Sequence, residues 1–541
     1  MKKLYLLALS IFASASLMAT QVQVKAGDDL QAAVNAANSG DTVLVQAGTY
    51  EGNFTMKDGV YVSGGWNEDF TAQTKHASIL DAKQSGRVLN QPADFTTLTI
   101  WDNFTIQNGK LTAIQSDKLG SGVALMKKGR VINCLIQNNT FDYSGDCYGG
   151  GLGQDVGNRN DTCAINCVVR NNKATHGGGV RIRGVILNSL AEKNTSTNNG
   201  GGIYLQAGAA YNCVIVNNTS NSGGGGVDMF NSGYLVNCLV ANNTAGNVGG
   251  LSMRSNDRET ADNGSDIINC TIVNNTQKNT NNPQFCGVRL DVRKNPNHVF
   301  INNVVYGNTV NGEVQSQELG GYPQGYGKFL NNAVAGKTDK VTYIQLDAEN
   351  APQFNEDYSF AWSSPLYNAG NYDAIALLVG DKDVYGNARK QGEKIDLGAV
   401  EHTVHTLTVA PVENGTLALE VLGQNMPLEA KAYEVPAGFT ATILATPAEK
   451  YALESILLNG SVLAAVEDVY TLPAVQSDVT LGATFVSIPD TPTALENIMD
   501  MSNVVAVYDL LGHQVNATPA NLTSGLYIVV TTQGTHKISI K

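Results

Sequence analysis

The chain has 541 residues and a formal net charge of −13, and only 15% of it is charged, against roughly 25% in average globular proteins. That length implies more than one domain, and the 43% apolar content excludes a disordered chain. An acidic chain without a basic run lacks the clustered lysine and arginine that phosphates demand, which excludes nucleic acid as a partner.

The chain starts "MKKLYLLALSIFASASLMATQ". Lys2 and Lys3 precede a short apolar run, Leu4 to Phe12, and small residues Ala13, Ala15 and Ala19 follow. This is the pattern of a secretory signal peptide over 1–19, too short to span a bilayer. The first cysteine is Cys134, so no cysteine stands where a lipoprotein signal needs one. No later stretch is long and apolar enough for a membrane helix. The protein is expected to leave the cytoplasm with no transmembrane segment and no obvious anchor.

In "DDLQAAVNAANSGDTVLVQAGTYEG" (28–52), Asp29 can cap a short helix over Leu30 to Ala37 with Val34 on its apolar side. Gly40 ends it, and a first strand follows. A nine-residue phrase then recurs: "INCLIQNNT" (132–140), "INCVVRNNK" (165–173), "YNCVIVNNT" (211–219), "VNCLVANNT" (236–244), "INCTIVNNT" (268–276). Its asparagine falls at Asn103, Asn133, Asn166, Asn188, Asn212, Asn237, Asn269, Asn302 and Asn331, at intervals of 22 to 33 residues. Self-similarity at that period marks a solenoid. A second phrase lies between, as in "GGGVRIRG" (177–184), "GGGIYLQ" (200–206) and "GGGGVDMF" (223–230). After the glycines, Val180 and Ile182, Ile203 and Leu205, Val227 and Met229, Leu251 and Met253, and Val288 and Leu290 alternate with polar residues, as in a half-buried strand. Stacked units pair like strands in parallel about 4.8 Å apart. The sequence therefore predicts an all-β chain built on a right-handed parallel β-helix over residues 20–345.

In such a stack each letter of the phrase becomes a column. An asparagine column can bond amide to amide and to the turn backbone. The cysteine column (Cys134, Cys167, Cys213, Cys238, Cys270) is expected to point inward as free thiols. The alternative, disulfides in an exported chain, needs Cβ atoms roughly 3.5–4.5 Å apart, closer than the coil spacing. Whether Cys147 and Cys163 pair stays open. The glycine runs are expected at a sharp corner.

The 28–52 segment resembles the N-terminal cap of exported β-helix proteins, including chondroitinase-B-like and alginate-lyase-like polysaccharide lyases. The "NNT…GGGV" pairs resemble the repeats of polymorphic outer-membrane β-helix proteins. "SSPLYNAG" (363–370) and "DVYGNARKQGEKIDLGAVE" (383–401) resemble the closing, choice-of-anchor segment of surface β-helices, here 346–402. Asp383, Arg389, Asp396 and Glu401 in it are expected to form a turn-and-salt-bridge cap on the last coil. Residues 403–487 alternate strongly between "NG" turns and resemble the small β-grasp-like repeats of bacterial surface proteins. "IPDTPTALEN" opens a linker (488–503). "VVAVYDLLGHQV" and "LTSGLYIVVTTQGTHKISIK" (within 504–541), with Asp509-x-x-Gly512 and Gly525-x-Tyr527, resemble the β-sandwich-like C-terminal sorting domain of the Bacteroidetes type IX secretion system. That resemblance implies a secreted or cell-surface protein that passes through the periplasm and engages the type IX machinery.

The candidate site is the outward side of the GGG strand. One column there reads Gly153, Arg181, Tyr204, Asp228, Ser252, Arg289; the next reads Asp155, Arg183, Gln206, Phe230, Arg254, Asp291. Arginines suit carboxylates, aromatics suit sugar faces and aspartates suit hydroxyls. Arg181, Arg183, Tyr204, Asp228, Arg254, Arg289 and Asp291 are accordingly the expected binding residues for a polysaccharide or a host or cell-surface glycan. A lyase would need a base and a cation. Arginines supply the cation, but the columns hold no lysine or histidine, and His176 lies just before a strand. An inverting hydrolase needs two carboxylates roughly 6.5–9.5 Å apart, and Asp228 and Asp291 stand two coils apart. No catalytic residue, metal site or cofactor is assigned. The reading is a structural, adhesive or glycan-binding β-helix, with a polysaccharide lyase or glycosidase on a polyuronate as the alternative.

Overall fold

The phrase asparagine turns the chain. In the computed structural model of the protein, all nine phrase asparagines, from Asn103 to Asn331, have φ between 48° and 66°. Asparagine enters this left-handed region more readily than most residues that carry a side chain. The structure describes residues 20–114, 117–155, 161–254, 264–280, 285–291, 298–315, 317–321, 328–336, 343–373, 380–391, 394–488, 503–516 and 521–540. The expected signal peptide, and all but the end residues of the expected linker, lie outside them.

A full coil has four strands. At 162–182 they are Thr162–Ile165, Val168–Arg170, Lys173–His176 and Val180–Ile182. Like strands of successive coils pair in parallel, Val168 with Leu190 and Val180 with Ile203. We call the four sheets I to IV in the order the chain visits them. Among the described residues they hold 12, 12, 9 and 10 strands, and the fold is the expected parallel β-helix. The alternation keeps its phase: Val180, Ile182, Ile203, Leu205, Val227, Met229, Leu251 and Met253 are all fully buried in one continuous core. Each such side chain contributes about 1.5–3 kcal/mol by burial.

The cysteine column points inward, and all eight cysteines are buried free thiols. Cys147 and Cys163 do not pair. Cys147 Sγ lies 3.1 Å from Thr175 Oγ1, and Cys163 Sγ is 3.3 Å from the Val185 carbonyl. The column is not wholly apolar, however. Cys213 Sγ lies 3.3 Å from the Tyr211 carbonyl. In the same column Ser189 Oγ donates to the Leu187 carbonyl (2.7 Å) and accepts from the Cys167 amide (3.0 Å).

A second asparagine column lies deeper. Asn139, Asn172, Asn194, Asn218, Asn243, Asn275 and Asn308 are buried at the corner between sheets II and III. Asn194 shows the pattern. Its Nδ2 donates to Asn218 Oδ1 (3.0 Å) and to the Val169 carbonyl one coil back (2.9 Å). Its own Oδ1 accepts from Asn172 Nδ2 (3.0 Å) and from the Asn172 amide (3.0 Å). Every polar position of the amide is thus used, which removes the cost of burying it. The ladder ends on Glu318, whose Oε2 accepts from Asn308 Nδ2 (2.7 Å) and the Asn308 amide (2.9 Å). The GGG turn is cut to fit this ladder. A Cβ on Gly179 would stand 2.7 Å from Asn194 Nδ2, and one on Gly202 would stand 2.8 Å from Asn218 Nδ2. The two recurring phrases are therefore the two sides of one close approach.

At the start of the solenoid, helix α1 (Leu30–Ala36) is capped by Asp29, which accepts from the Ala32 amide at 2.9 Å. Its Leu30 and Val34 join the core. The closing segment does not sit on the last coil as expected. It lies along the outer side of sheet II, where Phe360, Leu366 and Leu397 pack on Leu239, Ala241, Val273, Val304 and Ala333. The reason is a change in the outward residues of that sheet. Gln137, Arg170 and Glu192 in the earlier coils give way to Val216, Ala241 and Val273. The salt-bridge set fixes this flank. Buried Arg389 donates to Glu401 Oε2 (3.0 Å), to the Ala399 carbonyl (3.0 Å) and to Asn237 Oδ1. Asp396 accepts from the His402 amide and ring, and Asp383 accepts from the Tyr385, Asn387 and Glu401 amides.

The chain divides into two compact units, with the second starting at His405. Following the module from Val404, a five-stranded sheet runs Ala432–Pro436, Val404–Val409, Val479–Ser487, Tyr451–Leu458, Ser461–Leu463. A four-stranded one runs Gln424–Leu428, Gly415–Val421, Ala441–Pro447, Tyr470–Leu472. Val504–Asp509, Gly525–Thr531 and Gly534–Ile540 form an antiparallel three-stranded sheet around Val507, Val529 and Ile538. Asp509 Oδ1 accepts from the Leu511 and His513 amides (2.9 Å each), which lets Gly512 turn at φ 88°.

Candidate functional site

Sheet IV brings the two outward columns together as the spacing predicted. Arg181 pairs with Tyr204, Tyr204 with Asp228, Asp228 with Ser252 and Ser252 with Arg289. In the next column Gln206, Phe230, Arg254 and Asp291 follow one another in register. Asp155 and Arg183 continue it past the ends of their strands, joined at 2.9 Å.

The first column is not the open face the alternation suggested. Arg181, Tyr204, Asp228 and Ser252 are at most 5% exposed. Rings ahead of the strands pack on Arg181 and Tyr204, and Arg254 packs on Asp228. Tyr148 and His176 stand just ahead of the glycine corners, and their rings stack at 5.3 Å. His176 packs on Tyr204 (5.4 Å), and Tyr204 on Phe230 (6.4 Å). Arg181 lies 5.2 Å over the Tyr148 ring, and Arg254 lies 5.6 Å over Phe230. This spine of rings and guanidinium groups was missed because neither Tyr148 nor His176 belongs to the GGG strand. The signal was an aromatic residue directly before the glycines, in "CYGG" and "THGG".

Arg181, Arg183 and Arg254 on this face each already face a carboxylate. Arg254 grips Asp228 through Nε (3.1 Å) and Nη2 (2.7 Å). Burial nevertheless pushes the Asp228 carboxyl up to about 6, against the pull of Arg254. Arg181 donates to the Gln154 carbonyl (2.6 Å) and to Gln206 Oε1, and its Nη1 is 3.7 Å from Asp155. His176 Nε2 is 3.2 Å from Asp146. Burial, opposed by that aspartate, holds the ring below its ordinary value. Arg289 lies 5.6 Å over Phe285, and the side chain of Asp291 is outside those described. What remains half-exposed is Arg289 in the first column and, in the second, Arg183, Gln206, Phe230 and Arg254.

Chemically this line offers planar hydrogen-bonding groups at the coil spacing. It offers little for proton transfer. Asp228 is fully buried, with both oxygens on Arg254. The Nδ1 of His176 is buried without a partner. Among the described residues no group of three or more His, Cys, Asp or Glu is placed to hold a metal ion, and no helix is long and apolar enough to cross a membrane.

No family model and no curated protein matches the chain. Among solved structures it is similar to pectate lyase Pel9A, at 14% identity over 72% of this chain and 98% of that one, with a TM-score of 0.35. It is also similar to the A-module of the Azotobacter vinelandii mannuronan C-5 epimerase AlgE4, at 15% identity over 54% and 92%, with a TM-score of 0.26. Likenesses this distant say nothing about activity.

Proposed function

We propose that the protein is exported to the cell surface or beyond and binds polysaccharide along the outer side of sheet IV. The observation that carries this reading is the half-exposed, in-register line of Arg183, Gln206, Phe230 and Arg254. Groups repeated about every 4.8 Å along a straight axis match an extended polymer better than a compact ligand. Affinity electrophoresis of the whole chain through gels containing neutral and acidic polysaccharides tests it. Retardation by at least one of them, weakened in the Phe230→Ala variant, is expected. Unretarded migration in all of them would remove the reading.

Export rests on the terminal sheet with its Asp509 turn and on the N-terminal signal pattern. A chain lacking Val504–Lys541 is expected to accumulate, folded, in the periplasm. The same truncated chain at the cell surface in normal amount would refute the type IX assignment.

A second reading, a lyase or glycosidase acting on a polyuronate, is favoured by one observation. His176, in contact with Asp146 at 3.2 Å, stands beside the Arg181–Tyr148 pair. A base beside a cation is what proton abstraction next to a carboxylate uses. Unsaturated ends, read by ultraviolet absorbance, would support it if they vanish in His176→Gln. Their persistence in that variant would place the chemistry elsewhere.

A further inference from the structure

Resting on the polysaccharide-binding reading, we infer that the ligand of sheet IV is an uncharged, hydroxyl-rich polysaccharide, not a polyuronate. Arginines on a flat sheet invite the opposite conclusion, because guanidinium groups pair with carboxylates. The structure shows where those charges already go. Arg183 and Arg181 share Asp155, at 2.9 and 3.7 Å. Arg254 is held in two-point contact by Asp228, which is 0% exposed and cannot swing away. Asp146 stands at the foot of the strip beside a histidine whose charged form burial disfavours. Three arginines thus meet two aspartates, and the third aspartate meets a histidine. A uronate that drew Arg254 away from Asp228 would leave a buried carboxylate unpaired, which is the costly way to break an ion pair. It would also approach a protein of formal net charge −13, whose field repels a polyanion.

An uncharged glycan meets neither obstacle. A guanidinium neutralised on one edge keeps donors on its other edges. Arg183 and Arg254 retain 41% and 31% side-chain exposure for such use. Gln206 spends its Oε1 on Arg181, which leaves its amide nitrogen as a donor. The result is a row of neutralised donors for hydroxyl and ring oxygens. Water-like ligand groups of this kind are held without a salt-sensitive component.

Affinity electrophoresis with the whole chain, at low and at high salt, tests the inference with neutral probes (mannan, a β-glucan, a galactan) against pectate and alginate. Retention by a neutral polysaccharide, with an affinity that high salt leaves unchanged, is expected. Arg183→Ala and Gln206→Ala, both at half-exposed positions, should each weaken it about three- to tenfold. Retention by pectate or alginate that falls with salt would overturn the inference while leaving the binding face in place. Neutral-glycan binding unmoved by both substitutions would overturn it by placing the ligand elsewhere. Retention by no probe would remove the binding face and the inference together.

Discussion

Replacing Glu318 by glutamine tests the buried ladder at its end. The carboxyl is fully buried, accepts two bonds from Asn308 on Oε2, and leaves Oε1 without a partner. Burial pushes it up to about 7 from an ordinary 4.5, against the pull of the Asn308 donors. The folded chain therefore holds this proton more tightly than the unfolded chain does. The stabilisation is complete below pH 4.5 and is lost as pH rises through 7. From 4.5 to about 7, at about 1.36 kcal/mol per pH unit, the loss comes to about 3 kcal/mol. Glutamine keeps the acceptor facing Asn308 but puts an unpartnered NH2 where Oε1 was, a pH-independent cost of about 1–3 kcal/mol. Glu318→Gln should thus be the weaker protein at pH 5, and the gap should close or reverse by pH 8. Because a solenoid opens locally, amide hydrogen exchange over the last coils reports this better than a global melt. Variant and parent are compared at the same pH, so intrinsic exchange and all other titrating groups cancel. A difference that is the same at pH 5 and pH 8 would refute the reasoning, because the carboxyl would then ionise as it does in water.

Four further outcomes are expected. Cys213→Ser should cost under about 1 kcal/mol by denaturant unfolding, since Ser189 shows that a hydroxyl in this column finds a carbonyl acceptor; a loss above about 3 kcal/mol would contradict this. All eight cysteines should resist alkylation in the native protein and react after unfolding, read by mass spectrometry; rapid native labelling of Cys213 would contradict its burial. Asn218→Leu strands the donors and acceptors of Asn194, Asn243 and Ala191 and should cost more than about 3 kcal/mol, a loss visible as faster exchange in the neighbouring coils. Arg389→Met leaves Glu401 buried without its cation and should cost about 3–5 kcal/mol, freeing residues 350–402 to limited proteolysis before the solenoid itself is cut.

The β-helix was legible because period, phase and turn chemistry agree. The alternation of Val180 with Ile182 placed the core, and the thiol column followed from it. Two features were written in the same phrases and went unread. The second asparagine of "NNT" looks like one more turn residue, since polar side chains are ordinarily assigned to the surface. Its coil at "EKNT" gives it away: there Lys193 takes the left-handed turn and only the inner Asn194 is kept. The lateral seat of the closing segment was likewise visible in the change from Gln137 and Arg170 to Ala241 and Val273. That change has meaning only once those residues are known to share an outward column. The site was less legible because Arg181 and Tyr204 are packed under Tyr148 and His176. These arrive from another sheet, and no strand-by-strand pattern can place them there.

The amide ladder grows as a polymer does. Each asparagine offers an acceptor to the coil behind it and a donor to the coil ahead, so a whole coil inserted at matching letters would join both neighbours without altering either end. The length of the solenoid is therefore adjustable in steps of about 4.8 Å, with the helix at one end and the flanking segment as fixed fittings. Glu318 has no amide hydrogen to pass on. It accepts the last pair of bonds and propagates nothing, the part a chain terminator plays in polymerisation. A carboxylate in any earlier coil would interrupt the series there, and a coil beyond Glu318 gains nothing from this ladder.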